Sequence, residues 1–213
     1  MGLLMSVRVL VADAHEVVRV GIAEVFAGTE IEVIGNAATA AEAVLLATER
    51  KPDVVLLDVR LNGETGLLAL EEIREKSASS YVLILSAYDS LTYVARAAAL
   101  GAADYLLKTL SSRELVDAVR AAAQGESPTQ FGIMRPIAKA MSAKGKMRDA
   151  HPLTRREIQV LRHIGLGLSN KEIARSLEIS VETVKEHIQN IFRKIKASDR
   201  TQAAVWALRH ELV

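Results

Sequence analysis

The chain contains no cysteine in 213 residues. That excludes a disulfide framework, thiolate chemistry and any metal site built on sulfur. No apolar run reaches the roughly 18 residues of a membrane span, and no charged-then-apolar leader opens the sequence. Both absences point to a cytoplasmic protein. Met1-Gly2-Leu3-Leu4-Met5-Ser6 does fit a myristoylation pattern, which reads as chance because an apolar strand starts at Val7. Half of the residues are hydrophobic, enough for two cores, and the length suits two units of roughly 60–150 residues. The net charge of +1 hides an asymmetry. Residues 1–124 carry 11 basic and 17 acidic side chains, a net of −6, whereas residues 125–213 carry 16 and 9, a net of +7. A basic C-terminal module beside an acidic one suits a DNA binder attached to a partner domain that does not bind DNA.

The strongest local signals lie in the last sixty residues. Thr154 with Glu157, and Ser169 with Glu172, have the S/T-x-x-E spacing of capping boxes, each opening an apolar-periodic segment. Glu178-Ile179-Ser180 separates Leu177 from Val181, with Ser180 placed to cap the next helix. Two short helices joined by a tight turn are the helix-turn-helix geometry, whose second helix enters the major groove. In that second helix Val184, Ile188, Ile191 and Ile195 recur at spacings of four, three and four and predict one buried stripe. Lys185, Glu186, Gln189, Arg193 and Lys196 fall on other faces, as side chains that reach base edges and phosphates do. An ordinary surface helix with solvated charges is the alternative for a lone stripe. The preceding capped helix and turn weigh against it.

Residues 153–205 resemble the DNA-binding domain of the LuxR/NarL class of bacterial regulators. The words that carry the resemblance are Leu168-Ser169-Asn170-Lys171-Glu172-Ile173-Ala174, Thr183-Val184-Lys185 with His187, and Arg200-Thr201-Gln202-Ala203 with Asp199 as a cap. The resemblance implies a four-helix module. Position and resemblance together make Thr183, Lys185, Glu186, Gln189, Arg193 and Lys194 the expected DNA-contacting residues, with Lys185, Glu186 and Gln189 facing bases and Thr183 and Lys194 facing phosphates. The last helix, Thr201 to Leu212, carries apolar residues around much of its girth. One face is expected inward with Trp206 in the core, and another against a second copy, giving a homodimer on a roughly palindromic operator.

The N-terminal half alternates short apolar β-rich runs (Val7–Ala12, Ile31–Asn36, Val54–Leu57, Tyr81–Leu85, Tyr105–Leu107) with helical patterns (about Val17–Phe26, Ala40–Arg50, Leu67–Lys76, Thr92–Leu100, Ser112–Ala123). Thr39 with Glu42 and Ser111 with Glu114 add two more capping boxes. Five β-α units predict an α/β doubly wound five-stranded parallel sheet, flavodoxin-like, followed by the small all-α domain. The crevice of such a sheet lies at the carboxyl ends of its strands. Asp13, Asp58, Ser86 and Lys108 close strands one, three, four and five. Singly each reads as a turn or cap residue. Converging, two carboxylates can hold a hard cation, and a hydroxyl and an ammonium can hold phosphoryl oxygens. A carboxylate can also accept a phosphoryl group.

This half resembles a response-regulator receiver domain over about residues 5–124. The resemblance implies Asp58 as phosphoacceptor, Ser86 and Lys108 as phosphoryl-binding residues, Tyr105 at the aromatic switch position, and Asp13 with Asp58 as ligands of Mg²⁺. It also implies a histidine kinase as phosphodonor. Asn62 stands where the family usually has Pro, and Thr109 where Pro or Asp is common. A larger departure lies in Asp13-Ala14-His15-Glu16: Ala14 replaces the second acid of the pair, the direct metal ligand in the family. Weakened Mg²⁺ binding is therefore expected. Glu16 is expected to act as a helix N-terminal charge.

The expected domains are a receiver at 1–124, a linker at 125–150 and a LuxR-type helix-turn-helix domain at 151–213. Gly125, Ser127, Pro128 and Gly132 break structure in the linker, Ile133, Ile137 and Met141 could share one short helix despite Pro136, and Lys139, Lys144, Lys146 and Arg148 form a basic tether. An aspartyl-phosphate hydrolase is a competing class, but it needs a second acid two residues after its nucleophile, where Arg60 stands. A nucleotide-binding module is disfavoured because no Gly-rich loop follows strand one. The expectation is a DNA-binding transcription regulator of a two-component system, not an enzyme, controlled through Asp58. A phosphorylation-independent regulator, its receiver serving as a dimerisation or protein-binding platform, is the alternative.

Overall fold

A computed structural model describes residues 6–142, 152–210 and 212–213. The myristoylation-like start (residues 1–5), Lys144, Lys146, Arg148 and the Met147-Arg148-Asp149 run lie outside the described residues. The chain divides into two compact units. One is built on the residues up to Asp89 together with Leu100–Arg135, the other on Ser90–Ala99 together with the residues from Pro136 on.

In the first unit, β1 (Val7–Ala12), β2 (Ile31–Ala37), β3 (Val54–Asp58), β6 (Tyr81–Ser86) and β7 (Asp104–Leu107) form one parallel sheet in the order β2-β1-β3-β6-β7. Strand order turns at β1, the first strand, which places the crevice at its carboxyl end. The central strands β1, β3 and β6 are apolar on both faces because helices cover both. Toward α1 (Glu16–Phe26) and α5 (Ser112–Ala123), Val9, Val11, Leu56, Leu83 and Leu106 pack with Ile22, Phe26, Leu115 and Val119. On the other face lie α2 (Ala40–Arg50), which packs on β1 and β2, and α3 (Gly66–Lys76), which packs on β3. Fully burying side chains of this size contributes roughly 1.5–3 kcal/mol each.

Local signals set the helix ends. Ser111 and Glu114 close a full capping box at α5. At α2 the Thr39 hydroxyl accepts from Glu42 N, but the Glu42 carboxylate reaches back one residue further, to the backbone N–H of Ala38 at 2.7 Å. After β3 the chain makes a short antiparallel hairpin, β4 (Arg60–Leu61) with β5 (Glu64–Thr65). Its two-residue turn is Asn62-Gly63, with φ of +45° and +88°. Positive φ at both positions is what a tight hairpin twist demands, and Asn-Gly supplies it. The Asn for Pro exchange at 62 therefore has a structural role. Residues 127–134, expected within a linker, lie against β7, where Ile133 N–H donates to the Tyr105 carbonyl at 3.0 Å. Helix α6 (Met134–Ser142) follows. Pro136 sits in its first turn, where a missing N–H removes no helical bond.

In the second unit, α7 (Arg155–Gly165), α8 (Asn170–Ser176), α9 (Val181–Ile195) and α10 (Arg200–Arg209) form the expected four-helix arrangement, with α9 and α10 packed on α7 and α8 packed on α9. This unit also holds α4 (Leu91–Ala99). Thr154/Glu157 and Ser169/Glu172 both close complete capping boxes, Ser180 caps α9 through Thr183 N, and Asp199 caps α10 through Gln202 N. Each cap satisfies donors that the first helical turn leaves orphaned. Val184, Ile188 and Ile191 are buried as the periodicity requires, while Ile195 is partly exposed at the helix end.

Candidate functional site

The parallel register assembles the first site. Ala12 stands opposite Leu57, so Asp13 and Asp58 leave adjacent strands side by side. Asp58 pairs with Leu85, the residue before Ser86, and Ser86 pairs with Leu107, the residue before Lys108. Four side chains distant in sequence thus meet at one sheet edge. Asp13, Asp58 and Ser86 are buried. The Lys108 ammonium reaches in from β7, 2.5 Å from Asp13 Oδ2 and 3.1 Å from Asp58 Oδ2. It lies closer to Asp13 than to Asp58. The Ser86 hydroxyl accepts from Tyr88 N–H at 3.1 Å, and the Tyr105 hydroxyl donates to the Tyr88 carbonyl at 2.9 Å. Tyr105 is fully buried.

Electrostatics follow from this crowding. Burial pushes the Asp58 carboxyl above its ordinary value, Lys108 pulls it down, and the Asp13 carboxylate pushes it up again. Loss of one acid at Ala14 does not leave Asp58 relaxed, because desolvation is the largest influence. For Lys108, burial works to lower the ammonium, but the hydrogen bond to Asp13 and the Asp58 charge prevail and hold it above its ordinary value. The Lys108 cation is therefore firmly present at neutral pH.

Asp13, His15 and Asp58 bring one ligand atom each within 4.8 Å of one another. His15 sits at the N-cap position of α1 without a side-chain cap bond and donates its backbone N–H to Asp13 Oδ1 at 2.8 Å, with its Nδ1 3.2 Å from the same oxygen. Ala14 adds only a methyl group. Two carboxylates meeting at the sheet edge fit Mg²⁺, which is commonly held by one or two carboxylates plus phosphate oxygens. Arg19 braces this turn, donating to the Asp13 and Ala14 carbonyls at 2.7 and 3.3 Å. Glu16 is exposed in the first turn of α1.

Gly66 completes the loop after Asp58. Its N–H donates to the Val59 carbonyl at 2.7 Å, and a Cβ here would overlap the Asp58 backbone carbonyl.

The second candidate site is α9. Lys185, Glu186, Gln189 and Arg193 are exposed, and Thr183 is partly exposed near the helix start. Lys185 pairs with Glu182 at 2.8 Å, and Arg193 donates to Asn190 Oδ1 at 2.8 Å. Lys194 differs from its expected role. Its ammonium lies 2.8 Å from Glu157 Oε2, the capping-box carboxylate of α7. It works first as a strut between helices. Burial pushes Glu157 up, but Lys194 and the Thr154 cap bonds prevail and hold it below the ordinary carboxylate value.

Two supporting residues escaped the sequence reading. His163 is fully buried. Its Nδ1 lies 2.7 Å from the Gln159 carbonyl and its Nε2 2.8 Å from Ser176 Oγ. A carbonyl can only accept, so Nδ1 carries the proton and Nε2 accepts from the hydroxyl. Burial lowers the His163 pKa, keeping the ring neutral. Arg200 donates to Asn170 Oδ1 at 3.1 Å and to the Leu168 carbonyl, tying α10 to the start of α8. Both contacts span 13 residues or more, beyond any local pattern. On α10, Ala203 and Ala207 face inward, Val205 and Leu208 are exposed, and Trp206 is only partly buried, stacked on His210 at 3.6 Å. Trp206 is thus not the core residue expected, because small alanines occupy the packed face.

The sequence matches the response regulator receiver domain over residues 9–120 and the luxR family of bacterial regulatory proteins over residues 151–207. It is 40% identical to the transcriptional regulatory protein LiaR of Bacillus subtilis (strain 168), over 97% of this chain and 99% of that one. It is 36% identical to the response regulator protein VraR of Staphylococcus aureus (strain NCTC 8325 / PS 47), over 98% and 100%. Among solved structures, the response regulator ChrA of a heme-sensing two-component system is 30% identical with a TM-score of 0.53, covering 99% of this chain and all of that one. The receiver domain of the putative response regulator NarL of Mycobacterium tuberculosis is 36% identical with a TM-score of 0.54, covering 56% of this chain and 98% of that one. The capped helix-turn-helix unit, the acid pocket at the sheet edge and these likenesses over nearly the whole length agree: the chain belongs to the two-component response regulators that join a receiver to a LuxR-type DNA-binding domain.

Proposed function

We propose that Asp58 is the phosphoacceptor of this regulator and that its phosphorylation controls DNA binding. The observation that carries the reading is the convergence of Asp58, Asp13, Ser86 and Lys108 at the carboxyl ends of neighbouring strands. In this reading an Asp58 carboxylate oxygen attacks the phosphorus of a histidine kinase's phosphohistidine, and the P–N bond breaks. Lys108 then moves from its bridge with Asp13 and Asp58 onto a phosphoryl oxygen. The Ser86 hydroxyl exchanges Tyr88 N–H for another oxygen, and Tyr105 follows the displaced segment through its bond to Tyr88. Asp13 and Asp58 would hold Mg²⁺, which supplies positive charge to the phosphoryl oxygens when bound. With Ala14 in place of an acid, that binding is weak.

On DNA, Lys185, Glu186 and Gln189 face base edges, and Thr183 and Arg193 face phosphates. Lys194 joins them only by loosening its pair with Glu157. Val205 and Leu208 lie three apart on the exposed side of α10 and suit contact with a second copy, giving a homodimer on a two-fold operator. In this reading the protein acts in the cytoplasm as a regulator, not an enzyme. No helix among the described residues is long and apolar enough to cross a membrane. The test is to load the full chain with beryllofluoride and Mg²⁺ and follow oligomeric state and operator affinity together. Conversion to a dimer with tighter operator binding is expected. Loading without change in either measure contradicts control by phosphate and favours a receiver that acts as a protein-binding platform.

A further inference from the structure

Asp104 is fully buried at the start of β7, and no cation pairs with it among the described residues. Its acceptors are filled by neutral donors. Thr129, itself fully buried, donates through Oγ1 to Asp104 Oδ2 at 2.6 Å, and Tyr105 N–H donates to Oδ1 at 2.7 Å. Burial pushes the carboxyl above its ordinary value. A buried carboxylate without a counter-ion is costly, and here the cost is offset by donors from the Thr129 hydroxyl and from the backbone of Tyr105, Met134 and Thr129, which an apolar residue would leave unpaired.

What it holds is the segment leaving α5. Ser127 Oγ donates to the Ala103 carbonyl at 3.0 Å, Thr129 takes Asp104, and Ile133 N–H donates to the Tyr105 carbonyl at 3.0 Å. Ala103, just before the edge strand, and the strand's first two residues, Asp104 and Tyr105, each grip the segment. Thr129 Oγ1 also accepts from Phe131 N–H at 3.2 Å, fixing the turn. Gly132 passes so close to the Asp104 carboxylate that a Cβ would overlap it.

We propose that residues 127–134 form a clasp on β7, fastened by the Asp104–Thr129 bond, through which displacement of Tyr105 is passed to the chain that leads toward the DNA-binding domain. The segment that leaves the receiver is bound to the backbone of the very residue at the switch position, so movement of that strand end must strain or release it. The signalling half of this inference rests on phosphorylation at Asp58; the clasp itself does not.

The test is hydrogen exchange on the full chain, with and without beryllofluoride and Mg²⁺, comparing wild type, Thr129→Val and Gly132→Ala. Thr129→Val is nearly isosteric and removes only the hydroxyl, and exchange in β1 and β3 reports whether the receiver remains folded. The Phe131 and Ile133 amides should exchange at least about tenfold faster in Thr129→Val, the scale of one lost charge-assisted hydrogen bond, and faster again in Gly132→Ala. In wild type, loading should alter exchange across 127–134, and Thr129→Val should lose that response. Unchanged exchange at both amides in Thr129→Val overturns the clasp, whether or not Asp58 loads. Visible loading that leaves 127–134 untouched, or a Thr129→Val response equal to wild type, overturns the coupling while leaving phosphorylation intact. Absence of loading counts against the Asp58 reading alone.

Discussion

Buried carboxylates behave oppositely in the two halves of this chain. In the receiver, Asp58 and Asp104 are pushed above their ordinary values because desolvation outweighs their partners. In the helix-turn-helix domain, Glu157 is equally hidden from solvent yet lies below its ordinary value, because Lys194 and two cap bonds from Thr154 outweigh burial. The difference separates groups kept under tension from groups that hold the fold. In the proposed reading, Asp58, which would accept a phosphoryl group, and Asp104, which would hold the segment at 127–134, are the acids whose charge burial disfavours. At Glu157 the cap bonds and the Lys194 charge together outweigh burial.

The strongest challenge to this contrast comes from the exposed face of α9. Gln189 is exposed, so Gln189→Ala should leave stability unchanged while weakening cognate operator binding by about 1–3 kcal/mol and sparing non-specific DNA. Equal losses on every sequence would remove Gln189 from base recognition. Gly66→Ala acts on the receiver. Its Cβ would press on the Asp58 carbonyl, so a stability loss of about 1–3 kcal/mol is expected by chemical denaturation, with slower labelling of Asp58. A neutral outcome would mean that the acceptor loop is looser than its geometry indicates.

Asp58→Asn and Glu157→Gln sharpen the comparison through pH. A carboxyl raised in the folded state contributes stability that is fully present below its unfolded value, near 3.8, and lost as pH rises through the folded value. Asp58→Asn should therefore be more stable than wild type at pH 7, with the gap closing toward pH 4. Glu157 has the opposite sign. Its contribution is present above 4.5 and lost as pH falls through its lowered folded value. Glu157→Gln should be less stable than wild type at pH 7 by about 1 kcal/mol or less, the gap closing in acid. Unfolding midpoints measured at several pH values check both. Gaps of the same sign would break the contrast.

Local signals were readable from the sequence, and long-range ones were not. The caps at Thr154, Ser169, Ser180 and Asp199 rest on contacts three residues away, and the strand runs declare themselves by β-rich apolar stretches ending in Asp13, Asp58, Ser86 and Lys108. The convergence of those four follows from the parallel βα order alone. The Lys194–Glu157 pair was not legible because its partners lie 37 residues apart. Asp104 carries no local signal, because Thr129 is 25 residues downstream in what read as linker. Trp206 was assigned inward by size, whereas the packed face of α10 admits only Ala203 and Ala207. Asn62-Gly63 was a legible hairpin signal that comparison with the family's usual proline obscured.

The central claim is that Asp58 accepts a phosphoryl group in a pocket weakened by Ala14. Its most direct measurement is the intact mass of the full chain incubated with acetyl phosphate across a Mg²⁺ titration, for wild type, Ala14→Asp and Asp58→Asn. The account predicts one phosphoryl group on wild type at high Mg²⁺, the same labelling at lower Mg²⁺ for Ala14→Asp, and none on Asp58→Asn. Labelling that persists in Asp58→Asn, or that fails in both wild type and Ala14→Asp at every Mg²⁺ concentration, contradicts it.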